Sequence, residues 1–190
     1  LFYSNLLILV YGWIGFYAKG SIKKKKKKNS FTDYSLIATS PNAPTFSLIA
    51  PAYNEGATIV ENVRSLLSLY YNQLEIIIVN DGSKDDSLKR LIEAYDLIKI
   101  DYFVEGNIET KPINAIYKST NPVFKKLIIV DKVNGGKSDA LNVGINIATN
   151  DYIVCIDVDC ILEQDAILKL AKPFMDEAKA KVIACGGVIR

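Results

Sequence analysis

The 190-residue chain has no histidine, one methionine and one tryptophan. Without histidine, Ser-His-Asp triads, histidine general bases and His-containing zinc sites are excluded within these residues. Cys155, Cys160 and Cys185 lack zinc-ligand spacing. Cys155 and Cys160 flank an apolar run, which predicts reduced, buried, core-filling thiols and suits a reducing compartment. There is no GxGxxG fingerprint and no internal repeat, and the missing glycine pattern argues against NAD-dependent chemistry. The positive excess sits in one place. Lys23 to Lys28 form an unbroken run, and without those six lysines the rest of the chain is slightly acidic, although the whole carries +2 and a pI of about 8.3. A nucleic-acid face scatters Lys and Arg among aromatics, so nucleic acid is set aside as a partner.

The hydrophobic content of 49% suffices for one domain with a sizeable core. Leu1 to Ala18 is mostly apolar with aromatic residues near its ends, diluted by Ser4, Asn5 and two glycines. At that length it reads as a transmembrane helix. The lysines come after it rather than before it, which argues against a signal peptide and places the remainder of the chain on the cytosolic side. The expected location is therefore the cell (inner) membrane, with membrane as a partner; the alternative is a core helix beside a solvated lysine run. Residues 19–45 read as a basic cytosolic linker, irregular from Asn29 to Pro44. A chain beginning at Leu1 rather than Met is read as a fragment at its front end.

From Phe46 a regular alternation predicts strands at Phe46 to Ala50, Leu74 to Val79, around Ile98 to Phe103, Leu127 to Val130, Tyr152 to Ile156 and Lys181 to Cys185. Helices are expected over Glu55 to Tyr71, Asp85 to Tyr95, Ser138 to Ile147 and Gln164 to Phe174. Continuous apolar strands, each followed by a helix, imply an α/β fold with a mostly parallel sheet covered on both faces. In such sheets ligands bind beyond the carboxyl ends of the strands.

Three strands end in polar residues suited to one task. The first is followed by Pro51-Ala52-Tyr53-Asn54-Glu55-Gly56, the second by Asn80-Asp81-Gly82-Ser83, and the strand at Tyr152 by Asp157-Val158-Asp159. Each alone is what turns and helix caps use; three at equivalent positions favour a shared site. Asp157 and Asp159 alternate about Val158, so an extended segment would point both carboxylates one way. With no His or thiolate partner, such a pair suits Mg2+ or Mn2+ bridging to diphosphate oxygens. A carboxylate at Asp81 can accept the N3–H of uracil or a ribose hydroxyl, and Tyr53 offers an aromatic surface for a base. Lys137 follows Gly135-Gly136 near a helix start, where both charges attract phosphate.

Taken together, PAYNE (51–55), VNDGSKDDS (79–87), DKVNGGKSDALNVGIN (131–146) and DVDC (157–160) resemble, in order and interval, family-2 glycosyltransferases of the GT-A (nucleotide-diphospho-sugar transferase, Rossmann-like) fold. The similarity runs from about Phe46 onward and leans toward the membrane-bound processive synthases of poly-N-acetylglucosamine, cellulose and hyaluronan. It implies that residues 46–190 are the donor-binding part of such a domain, taking a nucleotide-sugar donor and a glycan or lipid-linked acceptor with inversion. Asp81 would contact uracil; Pro51, Ala52, Tyr53 and Glu55 would line the nucleotide; Lys137 would lie near the diphosphate and Asp139 close to the donor. Asp157 and Asp159 would sit at donor sugar and metal, with Asp159 the more direct ligand. The family's catalytic base is expected beyond Arg190. Two alternatives compete: a tethered nucleotide-binding module or inactive relative, and a haloacid-dehalogenase-like phosphatase, whose Asp-x-Asp usually opens its domain rather than following four strands.

Overall fold

The computed structural model describes residues 2–29, 37, 40–104, 106–175 and 182–187. The chain divides into two compact units, Leu1–Leu36 and Ile37–Arg190. The first holds one helix, α1 (Phe2–Asn29). Leu9, Trp13 and Phe16 are among its exposed apolar side chains. The expected membrane span is corrected here. The segment is helical, but no helix of the described residues is long and apolar enough to cross a membrane. Ser4, Asn5, two glycines, three tyrosines and Lys19 dilute the apolar run. The lysine run is helical as well, as a good helix former allows. Of the expected linker, residues 30–36, 38 and 39 lie outside the described residues.

The second unit is built on six strands: β1 (Phe46–Ala52), β2 (Leu74–Asp81), β3 (Leu97–Ile100), β4 (Ile113–Ser119), β5 (Leu127–Lys132) and β6 (Tyr152–Cys155), in the order β3-β4-β5-β2-β1-β6. β6, β1, β2 and β5 run parallel, while β4 is antiparallel to both β5 and β3. The apolar runs of β1, β2 and β5 are buried on both sides, and Leu48, Ile49, Ile77 and Ile78 are all fully enclosed. Burying each such side chain contributes about 1.5–3 kcal/mol.

Alternation along the strands sends Ile49, Ile77, Val79, Ile128 and Val130 to one face, where Ala140, Val143 and Ile147 of α4 (Lys137–Ile147) pack on them. α2 (Ile59–Leu67) and α3 (Ser87–Ala94) bury Ile59, Val63, Leu66 and Leu91. The β1-to-β2 crossover steps across the sheet in one direction and the β5-to-β6 crossover steps back. Right-handed crossovers therefore place α2 and α4 on opposite faces. α5 (Ala166–Met175) is the last helix or strand of the second unit among the described residues. At the amino end of the sheet Phe46 meets Tyr71, Tyr152 and Phe174, with ring centroids 5.5, 5.7 and 6.1 Å away.

β4 falls in a stretch for which the sequence pattern predicts no element. Its polar Asn114, Lys118 and Ser119 break the apolar run, and only Ala115 and Ile116 are buried. Conversely, the strand expected from Lys181 to Cys185 is not formed at 182–187. Lys181 lies outside the described residues, and no sheet partner stands beside that stretch among the described ones. The cysteines are free but exposed, not core-filling. Cys155 sits on β6, an edge strand, and Cys160 just beyond it.

Candidate functional site

The carboxyl ends of the parallel strands are level. Ala52 pairs with Asn80, Asn80 with Asp131, and Asp81 with Lys132. Beside them β6 stops early. Its last ladder pair is Ile49 with Cys155, and Ile156 N–H donates to the Ile49 carbonyl at 3.1 Å. The next ladder bond on that side would be donated by residue 51, and proline has no N–H. Chain 156–160 is thus free to leave the sheet. It forms a turn, with Cys160 N–H donating to Asp157 O at 3.0 Å.

That turn, rather than the expected extended alternation, gathers Asp157, Asp159 and Cys160. One ligand atom from each lies within 4.8 Å of the others, and all three residues are exposed, while Val158 between them is buried. The two carboxylates fit a hard divalent cation, which needs oxygen ligands and leaves its remaining positions to water and phosphate. The Lys137 ammonium already pairs with Asp157, so positive charge is favoured at this spot. That carboxylate in turn pushes the Lys137 ammonium above its ordinary pKa.

Gly136 precedes α4 with φ +86, a conformation glycine adopts without strain. The turn before it is held by Asp81. Gly135 N–H donates to Asp81 Oδ1 at 2.9 Å and Gly136 N–H to Oδ2 at 2.8 Å. Asn134 Nδ2 donates to the Asp81 carbonyl at 2.8 Å. Lys132 Nζ, fully buried, donates to Asp81 Oδ1 at 2.7 Å. Asp81 is therefore 3% exposed and accepts three hydrogen bonds of the roughly four a carboxylate can take. Asp139 is engaged on both carboxylate oxygens. Its Oδ2 pairs with Lys132 Nζ at 2.5 Å and its Oδ1 accepts from Lys111 N–H at 3.0 Å. Burial opposes ionisation of Asp139, yet the Lys132 ammonium and the Lys111 N–H outweigh it and hold the carboxyl below its ordinary range.

Tyr53 is 45% exposed and stands at the end of β1, after half-buried Pro51 and buried Ala52. Asn54, at φ 56, bridges to the second strand's loop: its N–H donates to Ser83 Oγ at 2.9 Å and its Oδ1 accepts from Lys84 N–H at 2.8 Å. Glu55 is half-buried, and its carbonyl accepts the Ile59 N–H at 2.8 Å, starting α2. Asp85 accepts from Gly56 N–H at 2.8 Å and from Ser87 Oγ at 2.5 Å. The Ser87 hydroxyl bond foremost holds its carboxyl below the ordinary range. Of the expected residues, Lys137, Asp157 and Asp159 come together at one exposed corner and Asp81 lies under the Gly135–Gly136 turn. The motifs alone do not single out Lys132 or Asn54. Lys132 does carry a signal, since alternation from Ile128 and Val130 puts it on the inner face.

Residues 47–107 and 110–189 match the glycosyl transferase family 2 model. The chain belongs to glycosyl transferase family 2. It is 31% identical over 144 residues to a poly-beta-1,6-N-acetyl-D-glucosamine synthase of Staphylococcus epidermidis and 30% identical over 145 residues to that of Staphylococcus aureus strain COL. Each match covers 76% of this chain but only 29% of the relative's length. Among solved structures it resembles a mannosyltransferase of Pyrobaculum calidifontis in complex with GDP-Man and Mn2+, at TM-score 0.55 and 20% identity over 76% of this chain and 38% of that one. TarS 1–349 of S. aureus aligns at TM-score 0.50 and 24% identity, over 77% of this chain and 38% of that 1–349 chain. These likenesses establish the GT-A type of fold, and the family match replaces the dehalogenase-like alternative.

Proposed function

We propose that residues 46–190 form the donor half of an inverting glycosyltransferase that takes a UDP-sugar, with Mg2+ or Mn2+, and extends a polysaccharide or glycolipid. The observation that carries this reading is the corner where Asp157 and Asp159, on one side, meet Lys137 and the start of α4, on the other. Family membership and the synthase relatives support a sugar-transfer role, and the Mn2+ bound to the mannosyltransferase supports the cation. Asp159 and Asp157 would hold the cation, which when bound offsets negative charge on the departing diphosphate.

The chain's own groups account for the rest of donor binding. Lys137, exchanging its Asp157 partner for phosphate, orients the diphosphate at the amino end of α4, where the helix dipole adds attraction. Tyr53 supplies a ring face for the base. The one acceptor position left on Asp81 suits a single N–H such as uracil N3–H, with Pro51, Ala52 and Glu55 bordering the nucleotide and Asp139 acting from behind the turn.

Two carboxylates supply too few ligands to hold the cation tightly alone, so metal and UDP should tighten each other by one common factor. Calorimetric titration of UDP with and without Mn2+ measures it. A coupling of roughly tenfold or more is expected, with UDP preferred over GDP, ADP and CMP and the coupling lost in Asp159→Asn. UDP binding indifferent to metal would overturn the role of the pair.

A further inference from the structure

Lysine is almost never fully enclosed unless paired, yet Lys132 has no exposed surface. Its ammonium donates to Asp81 Oδ1 at 2.7 Å and to the Val133 carbonyl at 2.5 Å, and it forms an ion pair with Asp139 Oδ2 at 2.5 Å. Through them one cation ties the end of β2, the end of β5, the first turn of α4 and, by the Lys111 N–H on Asp139, the approach to β4. Gly135 lies against the Asp139 carboxyl, where a Cβ would collide, so the turn is seated directly on this cluster.

We propose that Lys132 is a positioning residue for the donor site: it clamps Asp81 and Asp139 together so that Asp81 holds the Gly135–Gly136 turn, and with it Lys137, in place for the diphosphate. The inference rests on the nucleotide-sugar reading above. The groups facing the clamp are accounted for. Asp81 meets Lys132 and the two glycine N–H groups; Asp139 meets Lys132 and Lys111; Lys137 turns away to Asp157; Asp131 lies on the opposite face with Asn80 and Asn114. Among the described residues, Lys132 alone contacts both carboxylates with a cation.

Lys132→Met keeps the apolar stem and removes the charge, leaving two carboxylates with no cation between them. Like charges held together force one carboxyl to keep its proton to higher pH. The UDP affinity of the variant, taken as a ratio to that of the wild-type chain at each pH, should then depend on pH. The second variant, Lys132→Met/Asp139→Asn, returns the cluster to the wild-type net charge of one negative unit and serves if the first fails to fold.

The test is UDP titration with Mg2+ present, from about pH 5.5 to 8.5, on the full chain and both variants. The wild-type profile, which carries the titration of the nucleotide's own terminal phosphate at about pH 6, is the reference at each pH. Relative to that reference, Lys132→Met should lose roughly tenfold or more at the upper end and recover toward the lower, and the double variant should give a ratio to wild type that does not change with pH. Unchanged affinity in folded Lys132→Met would overturn the inference while leaving the donor reading intact. So would a pH-independent loss that the double variant does not repair. Absence of UDP binding by the wild type would sink the donor reading and this inference with it.

Discussion

The two ends of the parallel sheet are held by different physics. At the amino ends Phe46, Tyr71, Tyr152 and Phe174 form an aromatic cluster, with Tyr152 and Phe174 centroids only 4.4 Å apart. At the carboxyl ends the chain is held by Lys132 between two carboxylates and by amides on Asp81. Apolar contact is non-directional and has no small-molecule competitor. A network of charges and N–H groups is directional, and a charged ligand can exchange partners with it. One end secures the fold, and the other leaves room for binding.

The largest effect is expected at Phe46. Phe46→Ala should cost about 3–5 kcal/mol, because the residue is 2% exposed at the centre of the cluster. Denaturant unfolding measures that loss, and UDP affinity of the still-folded fraction should match the wild type. An affinity change would mean that the two ends are coupled.

Tyr71 sharpens the contrast more gently. Its hydroxyl donates to the Pro44 carbonyl at 2.6 Å, a bond worth about 1 kcal/mol. Burial pushes its pKa from 10.0 up to about 12. Between those values the unfolded chain releases the phenolic proton and the folded chain retains it, so stability present below pH 10 falls as pH rises. Tyr71→Phe should lower stability at neutral pH by about 1 kcal/mol and make its decline in that alkaline window shallower. A slope identical to the wild type would show that Tyr71 does not contribute.

The smallest effect belongs to the binding end. Asp159→Asn, at an exposed turn, should leave unfolding stability within about 0.5 kcal/mol even as it abolishes metal coupling. A larger loss in the unfolding curve would mean that the turn helps secure the fold after all.

What can be read from the residues divides in the same way. β1, β2 and β5 are legible because burial on both faces demands unbroken apolar runs, and α4 because Ala140, Val143 and Ile147 recur at helical spacing. β4 is hidden because one buried pair, Ala115 and Ile116, carries its packing. The stretch at Val182 resembles a strand locally, but pairing is a property of neighbours, and none stands there among the described residues. In the site, Asp157, Asp159 and Lys137 are readable as charges at element ends. The commitment of Asp81 and Asp139 to Lys132 is not, since it depends on the register that sets Asp81 beside Lys132. The helix at Phe2–Asn29 is readable as a helix, whereas its capacity to span a bilayer depends on a sum that its polar residues and tyrosines bring down.

Pro51 acts as the stop on a zipper. β1 and β6 close upward pair by pair to Ile49 and Cys155, and the closure halts where one hydrogen atom is missing. The lost bond is worth about 0.5–1.5 kcal/mol, a small fraction of a domain's stability. That small loss keeps the Asp157–Cys160 turn out of the sheet and open to solvent. A residue with an N–H at position 51 would let the strands close further and draw the acidic turn inward. The accessibility of the acidic turn thus depends on a residue that carries no charge and contributes by what its backbone cannot donate.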